Sequence, residues 1–261
     1  MMNLIDVIIL AVLQGITEWF PVSSSGHLVV LQRLLHLEAS WFFDLSLHMG
    51  TLCVVVVFFW RDVVNIIRAL VRLDFKSEDG KLALLLIVGT VPGAITGLLI
   101  THFFEAYFLN LVLVGEALLI TGLFLFISRR KTNRRELGYV DSSLMGLAQG
   151  FAIIPGISRS GITLSTGTLR KVKREVLFKF SFLLSIPGIL GAIVLEVTKS
   201  PVAVGNVETP TIILGIIISM VVGYLSLRLL KKIFMMERLH LFAYYCWIVG
   251  AMILFYCLSQ F

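Results

Sequence analysis

Two short segments of this 261-residue chain place ionisable side chains among serine, glycine and proline in otherwise apolar sequence. In the first, EWFPVSSSGH, Glu18 precedes Pro21 and His27 follows it. In the second, IPGISRSGIT, Arg159 stands between two serines. Gln14 and Glu18 are four residues apart and therefore lie on one face of a helix. A carboxylate, an imidazole, a guanidinium and several hydroxyl groups together suit the binding of phosphate oxygens and nucleophilic or acid–base chemistry.

The second segment predicts a binding site for phosphate oxygens. A guanidinium fork among hydroxyl groups, next to glycine backbone that a ligand can approach closely, matches a phosphate or a diphosphate. A helix that restarts after either break would direct its N-terminal N–H groups toward the same anion. The candidate substrate-binding residues of the two segments are Ser23, Ser25, Gly26, Ser158, Ser160, Gly161 and Thr163.

The carboxylate of the first segment predicts a divalent cation. A carboxylate beside a phosphate site repels the substrate unless a cation lies between them, and Mg²⁺ or Ca²⁺ prefers oxygen ligands. Glu18, with Gln14 as a neutral oxygen donor, is therefore the candidate metal ligand. His27 can serve as a nucleophile or as a general acid–base, and it is the natural base if a serine hydroxyl attacks.

The composition is that of a membrane protein. The chain is 58% hydrophobic and 15% charged, with a mean hydropathy of +0.96, whereas soluble domains average about 25% charged residues. Its three cysteines, Cys53, Cys246 and Cys257, stand singly in apolar runs, which argues against disulfides and zinc sites. The net charge of +6 fits basic cytoplasmic loops better than a nucleic-acid partner, so no nucleic acid is expected.

Six apolar runs approach the roughly 20 residues needed to cross a bilayer. The runs are about 43–60, 82–101, 110–128, 179–197, 211–228 and 241–260. Of the 22 Lys and Arg residues, 19 lie in the four segments 61–81, 129–135, 170–179 and 228–238. Because cytoplasmic loops are rich in Lys and Arg, these four basic segments are predicted to lie in the cytoplasm and both chain termini outside.

The two segments that carry the ionisable side chains lie in stretches that are not predicted to cross the membrane. Residues 1–42 begin and end on the outer side, and residues 142–169 begin and end on the cytoplasmic side. Each stretch is broken near its centre, and a break exposed to lipid would leave backbone N–H and C=O groups without partners. Both stretches are therefore predicted to be re-entrant helical hairpins buried in protein.

The two hairpins also form an internal repeat. Gln14–Gly26 aligns with Gln149–Gly161 at a constant offset of 135, with glutamine, glycine and serine matched. Because the two hairpins enter from opposite sides of the membrane, the repeat is an inverted duplication, and such duplications place a binding site at the middle of the bilayer.

The sequence predicts an all-α polytopic membrane protein with six transmembrane helices plus two re-entrant helical hairpins arranged as inverted-topology repeats. The single membrane domain comprises repeat one at about 1–128, a cytoplasmic linker at 129–141 and repeat two at about 142–261.

The two segments resemble the signature segments of the bacterial undecaprenyl-diphosphate phosphatase family, also known as the bacitracin-resistance family, BacA or UppP. QGITEWFPVSSSGH matches the family's (E/Q)-x-x-x-E and P-V-S-S-[ST]-G-H pattern, and PGISRSGIT matches its P-G-x-S-R-S-G-x-T pattern. Length, hydropathy and the spacing of the segments agree, so the resemblance covers essentially the whole chain.

This resemblance implies an integral membrane enzyme that uses a divalent cation to hydrolyse undecaprenyl diphosphate to the monophosphate and inorganic phosphate. Such an enzyme recycles the lipid carrier of peptidoglycan synthesis and confers bacitracin resistance. The resemblance also implies a location in the bacterial inner (cytoplasmic) membrane, contact with membrane lipids and a homodimer. Because the first segment enters from the outer side, the active site is expected to face the periplasm or the exterior.

The resemblance also assigns the catalytic positions, which are His27, Ser24, Glu18 and Arg159. Arg159 takes the position of the diphosphate-binding arginine, and Ser23 is the other serine of the motif. Gln14 departs from the acidic form of the motif, so metal binding is assigned chiefly to the glutamate. We predict Ser24 as the nucleophile with His27 as its base; direct attack by His27 remains an alternative.

A second class of function stays open. Broken helices in inverted repeats are also typical of transporters, so a transporter or flippase of a polyprenyl phosphate lipid is the alternative function. A carrier needs donors for the anion but neither a nucleophile nor a base, so the pair Ser24 and His27 favours hydrolysis.

Each site residue also has a structural alternative. Breaks rich in serine and glycine also serve close helix packing. His27 alone could be a hydrogen-bonded interior residue, and Arg159 alone could snorkel to the interface.

Three further ionisable residues lie in the predicted spans. Asp44 and His48, one turn apart at the outer start of a span, either support the site or bond to each other, and we favour the structural interpretation. Glu116, within the run 110–128, is a candidate partner for Arg159 or for a histidine.

Overall fold

The computed structural model describes residues 3–37, 41–129, 135–199 and 209–259. Within these ranges the chain forms eleven α-helices and a short 3₁₀ turn, with one isolated β-bridge and no longer strand. The helices are α1 (Leu4–Thr17), α2 (Ser24–Leu34), α3 (Trp41–Phe58), α4 (Trp60–Val71), α5 (Glu78–Phe104), α6 (Leu111–Ile127), α7 (Tyr139–Phe151), α8 (Arg159–Leu169), α9 (Arg174–Lys199), α10 (Thr209–Met235) and α11 (Leu241–Leu258).

Five of the described helices are long and apolar enough to cross a membrane, namely α3, α5, α9, α10 and α11. They cover five of the six predicted spans. The sixth, predicted at 110–128, is the apolar helix α6, which at 17 residues is shorter than the other five. The described chain is thus an all-α polytopic membrane protein.

Both predicted breaks interrupt the helices. The turn between α1 and α2 contains Pro21, which has no N–H to continue the helical hydrogen bonds. The turn between α7 and α8 contains Gly156, whose φ of +101° is a conformation that favours glycine. Ser23 and Ser158 cap the helices that restart, each accepting from a backbone N–H three residues further on. The serines of the two motifs therefore begin the helices that follow the breaks.

The second hairpin begins before its predicted boundary. Helix α7 starts at Tyr139, inside the segment predicted as a linker at 129–141. The backbone N–H of Gly138 donates to Asp141 Oδ2 at 3.0 Å, and two arginine side chains pair with the same carboxylate. An acid in the first turn stabilises a helix start because it faces the positive end of the helix dipole. Residues 130–134 of the predicted linker lie outside the described residues.

Helices of the first half of the chain pack against helices of the second half. Helices α1 and α3 pack along α10, α7 and α9 pack along α5, and α6 packs along α11. The helix bounds also correspond, since α2 begins at Ser24 and α8 at Arg159, the same offset of 135 residues found in the motifs. This interlocked packing brings the two breaks to the same place in the molecule.

The four basic segments also come together. The segment at 170–179 contacts a residue of each of the other three, so the described parts of all four meet at one end of the helix bundle. Placement on one side of a membrane requires this arrangement. The contacts are the ion pairs of Lys179 with Asp62 and of Arg174 with Glu237, and the bridge of Val172 with Arg135.

The packing of α7 on α5 depends on glycine. Gly89 and Gly93 of α5 face Gly146 and Gly150 of α7. A Cβ atom on Gly146 would lie 1.8 Å from the carbonyl oxygen of Gly89. Because that oxygen belongs to the backbone, the two helices would have to move apart to admit a methyl group.

Gly146→Ala is therefore expected to lower the thermal unfolding midpoint of the purified protein in detergent by several degrees. Overpacking of this kind costs about 1–3 kcal/mol, which exceeds the roughly 1 kcal/mol that alanine gains over glycine in a helix. Gly191→Ala on α9 is the matched control, since its Cβ would meet no atom within 4 Å. Its midpoint should equal or exceed that of the wild type. A Gly146→Ala midpoint at or above the wild-type value would contradict this account of the packing.

Candidate active site

The two motifs meet at a buried carboxylate. Glu18, in the turn after α1, is only 6% exposed. At the start of α2, Ser24 Oγ donates to Glu18 Oε2 at 2.7 Å. At the start of α8, Arg159 Nη2 donates to Glu18 Oε1 at 2.5 Å. The guanidinium therefore balances a charge that would be costly to bury alone.

Further side chains surround the two charged groups. Gln14 Nε2 donates to Glu18 Oε2 at 3.0 Å, and His48 Nε2 lies 3.6 Å from the same oxygen. The guanidinium carbon of Arg159 lies 5.5 Å from the centre of the Trp19 ring, a cation–π contact. Trp19 is fully buried, so it gives the guanidinium a rigid support.

Hydrogen bonds join the two helix starts to each other. The N–H of Gly156 donates to Ser23 Oγ at 2.9 Å. On α6, Thr121 Oγ1 donates to the carbonyl of Gly156 at 2.9 Å and accepts from the N–H of Ser158 at 3.0 Å. A Cβ atom on Gly26 would lie 2.9 Å from the nitrogen of Gly156, so this close approach requires glycine. The N-termini of α2 and α8 are thereby held together, an arrangement that favours an anion.

A cavity of about 580 Å³ lies beside this centre. Its polar wall includes Glu18, Ser23, Ser24, Ser25, Ser158 and Arg159. Much of its apolar wall consists of small residues on α5 and α9, among them Gly93, Ala94, Gly97, Gly188, Gly191 and Ala192. The volume is within the range of about 300–1,000 Å³ that is usual for small-molecule sites. A polar end beside an extended apolar wall suits an anionic head group attached to an apolar chain.

His27 does not reach the predicted nucleophile. Its Nδ1 lies 2.8 Å from the carbonyl oxygen of Ser23 and its Nε2 lies 2.8 Å from the hydroxyl of Tyr245, with the two rings stacked. Side chains on a helix point toward its N-terminus, so the imidazole turns to the carbonyl four residues before it. The hydroxyl of Ser24 bonds to Glu18 instead. The structure therefore does not bring the predicted base and nucleophile together.

The predicted substrate-binding residues divide into two groups. Among the described residues, those that line the cavity are Ser23, Ser25 and Ser158. The others lie behind that wall and hold the helix starts; they are Gly26, Ser160, Gly161 and Thr163. The two glycines donate their N–H groups to the cap serines, and Thr163 Oγ1 donates to the carbonyl of Arg159 at 2.8 Å. Ser160 Oγ lies 3.3 Å from Ser158 Oγ.

Asp44 and His48 lie in the cavity wall, although their spacing alone favoured a structural interpretation over support of the site. The carboxylate of Asp44 accepts from Gln32 Nε2 at 2.9 Å, and its backbone carbonyl lies 2.9 Å from His48 Nδ1. The sequence feature that could have placed them at the site was a pair of ionisable residues one turn apart in an apolar span. Glu116, the other candidate partner for Arg159, is exposed on α6. Arg159 pairs instead with the carboxylate of Glu18.

Comparison with known proteins decides the family. A family model described as "Bacitracin resistance protein BacA" matches residues 7–252. The chain belongs to the BacA family. Proteins named "Undecaprenyl-diphosphatase" match this BacA-family chain along its length. The protein of Korarchaeum cryptofilum (strain OPF8) is 41% identical, and the match covers 97% of this chain and 99% of that protein. The protein of Halothermothrix orenii (strain H 168 / OCM 544 / DSM 9562) is 40% identical, covering 97% and 98%.

The centre of this BacA-family protein offers oxygen donors for a divalent cation. The carboxylate of Glu18 lies beside the hydroxyl of Ser24, and Gln14 Oε1 is buried with no hydrogen-bond partner among the described residues. Within the same residues, no group of three or more His, Cys, Asp or Glu side chains forms a metal cage. Mg²⁺ often takes one or two protein carboxylates and completes its shell with substrate phosphates and water. The donors therefore fit an ion shared with a phosphate, and not a site made by protein alone.

Proposed function

We propose that this BacA-family protein hydrolyses undecaprenyl diphosphate to undecaprenyl phosphate and inorganic phosphate. Relatives that match along its length are named for that activity. The observation that carries the proposal is the Ser24 hydroxyl bonded to Glu18 while Arg159 holds the other carboxylate oxygen. The product is the lipid carrier of peptidoglycan synthesis, so the reaction recycles that carrier and confers bacitracin resistance.

Ser24 is the nucleophile of the proposed reaction. Its Oγ attacks the terminal phosphorus while its proton passes to Glu18 Oε2, and the bond from that phosphorus to the bridging oxygen breaks. Undecaprenyl phosphate leaves, and water then hydrolyses the phosphoserine, which releases inorganic phosphate and restores the hydroxyl. The proton on Glu18 passes to the solvent, so that the carboxylate is again free to act as a base. The hydrogen bond of 2.7 Å supports Glu18, rather than His27, as the base.

Arg159 binds the diphosphate in this mechanism. A guanidinium has five N–H donors, so it can keep one on Glu18 Oε1 while others hold phosphoryl oxygens. Donors fixed where negative charge develops stabilise the transition state more than the ground state. The buried ring of Trp19 beneath the guanidinium supports this role, because it limits the orientations that the guanidinium can adopt.

A divalent cation, Mg²⁺ or Ca²⁺, belongs to the proposal. Glu18 and Gln14 would hold it, and the buried, unsatisfied Oε1 of Gln14 supports this assignment. When bound, the cation would neutralise charge on the phosphoryl oxygens. The homodimer expected from the family resemblance stays a prediction.

The proposed orientation places the cavity on the periplasmic or outer face of a bacterial cytoplasmic membrane. The positive-inside rule assigns the end where the basic segments meet to the cytoplasm. The cavity wall includes residues near the opposite helix ends, since Trp41 begins α3 while Leu98 and Glu196 lie near the ends of α5 and α9. The correspondence of α1 and α2 with α7 and α8 supports two re-entrant hairpins in an inverted repeat of six spans. The isoprenoid chain would leave along the apolar wall into the lipid.

Release of phosphate tests the proposed function. Purified protein in detergent, given undecaprenyl diphosphate and Mg²⁺, is expected to release inorganic phosphate in amounts that exceed the enzyme many times over. EDTA should stop the release, and added Mg²⁺ or Ca²⁺ should restore it. No release under these conditions would overturn the enzyme and favour the transporter alternative. Release that EDTA does not change would remove the cation from the proposal.

A further inference from the structure

Helix α11 contacts the first motif on both sides of its serines. The hydroxyl of Tyr245 lies 2.8 Å from His27 Nε2, and the two rings are stacked with their centres 5.7 Å apart. On the next residue of α11, Cys246 Sγ donates to the carbonyl oxygen of Pro21 at 3.5 Å. Cys246 is fully buried, whereas Tyr245 is 43% exposed. The serines of the first motif are therefore supported on both sides by a helix that lies outside both motifs.

The hydrogen bonds of His27 fix which ring nitrogen carries the hydrogen. Nδ1 lies 2.8 Å from the carbonyl oxygen of Ser23, which can only accept, so Nδ1 carries the hydrogen. The neutral imidazole then has a lone pair on Nε2, and the hydroxyl of Tyr245 donates to it. Both bonds form with the imidazole in its neutral state. The hydroxyl thereby fixes the plane of the ring and, with it, the direction in which Nδ1–H points.

The carbonyl that His27 binds belongs to a residue with an uncommon backbone conformation. Ser23 has a φ of +70°, which residues other than glycine rarely adopt and which surrounding contacts must maintain. Its carbonyl oxygen accepts from the Nδ1–H of His27 and, at 3.2 Å, from the backbone N–H of the same residue. Its hydroxyl accepts from the N–H of Gly156 in the second motif. Because Ser24 follows directly in the chain, a change in the backbone of Ser23 would move the Ser24 hydroxyl away from Glu18.

We propose that Tyr245 is a positioning residue of the phosphatase centre and that it acts through His27. By donating to Nε2 it holds the ring so that Nδ1–H stays on the Ser23 carbonyl, which keeps the hydroxyl of Ser24 on Glu18. Among the described residues that line the cavity there is neither the tyrosine nor the histidine. The inference rests on the proposed hydrolysis. It assigns to Tyr245 an effect on kcat and little effect on KM.

Removal of a single hydroxyl tests the inference. Tyr245→Phe keeps the stacked ring and loses only the donor, and its kcat is expected to fall about 3- to 15-fold, the range that measured hydrogen bonds between membrane helices predict. KM should stay within about twofold of the wild type, because the groups that bind the diphosphate are unchanged. Tyr244→Phe is the matched control, since the ring of this neighbouring exposed tyrosine packs on Phe126 and Trp247. Wild-type kcat in Tyr245→Phe, or an equal loss in Tyr244→Phe, would overturn the inference.

Two substitutions of His27 test whether the hydroxyl acts through the ring. Asparagine can place an amide N–H near the position of Nδ1 but cannot act as a base, and leucine has no donor. The kcat of His27→Asn is expected to exceed that of His27→Leu by at least about fivefold, as the retained hydrogen bond predicts. Addition of Tyr245→Phe to His27→Asn should change kcat by less than about twofold, because the tyrosine then has no ring to orient.

The opposite results would remove the role of Tyr245. They are a His27→Asn variant no better than His27→Leu, or a double variant that loses as much again as Tyr245→Phe alone. A His27→Asn variant without measurable turnover would also overturn the inference, since the imidazole would then do more than hold a carbonyl. If His27→Leu does not fold, the double variant still decides. A wild-type protein that releases no phosphate would instead overturn the proposed function itself.

Discussion

Replacement of Ser24 by alanine is expected to lower kcat by at least about 10³-fold, since loss of a nucleophile commonly has effects of this size or greater. The hydroxyl of Ser24 is the one that donates to Glu18 Oε2, and alanine removes the attacking atom. Arg159 and the two helix N-termini still bind the head group, so KM should stay within a few-fold of the wild type. Steady-state phosphate release measures both constants.

Ser25→Ala distinguishes the two neighbouring hydroxyls. Ser25 also lines the cavity, but its Oγ lies 3.4 Å from Ser23 Oγ and is not bonded to Glu18. Loss of a binding hydroxyl of this kind should cost less than about tenfold in kcat/KM. A Ser25→Ala variant as inactive as Ser24→Ala, or a Ser24→Ala variant with wild-type kcat, would show that the nucleophile is wrongly assigned.

Arg159→Met is expected to lower kcat/KM by about 10²- to 10³-fold, the usual effect of removing a donor that stabilises charge in the transition state. The substitution also leaves Glu18, which is only 6% exposed, without its cation. Breaking a buried pair in this way costs about 3–5 kcal/mol. The thermal unfolding midpoint should therefore fall together with the activity.

The double variant Arg159→Met with Glu18→Gln separates these two effects. Replacing a buried ion pair by neutral groups is often close to neutral for stability, so the unfolding midpoint should recover much of what the single substitution lost. Activity should not recover, because the base and the diphosphate-binding group are both gone. A double variant as unstable as Arg159→Met would contradict the buried ion pair. A double variant with wild-type turnover would contradict the assigned roles.

The convergence of Glu18 and Arg159 was predictable from the sequence. Each is an ionisable residue at membrane depth beside a helix break, and such residues need polar surroundings within the protein. The constant offset between the two motifs then indicated that the breaks meet. The apolar runs were equally clear, although α6 is shorter than the other spans. These features depend on local sequence and on the cost of burying polar groups, which a single sequence reveals.

The contacts of the two histidines were not predictable. His27 lies three residues after Ser24, which suggested that they bond, yet its Nε2 contacts Tyr245 on α11, 218 residues further along the chain. His48 faces the centre only because α3 packs with one particular side toward α1. Which side of a helix faces a site depends on packing between distant elements, and sequence spacing does not determine it.

Mass spectrometry of protein quenched within a single turnover of undecaprenyl diphosphate tests most directly whether Ser24 attacks the substrate. Rapid quenching into denaturant at neutral pH would preserve both phosphoserine and phosphohistidine. We expect the earliest time points to carry a phosphoryl group on Ser24 and the Ser24→Ala protein to carry none. A phosphoryl group on His27, or wild-type turnover with no phosphorylated residue at any time, would contradict the central claim that Glu18 activates Ser24 to attack the lipid diphosphate.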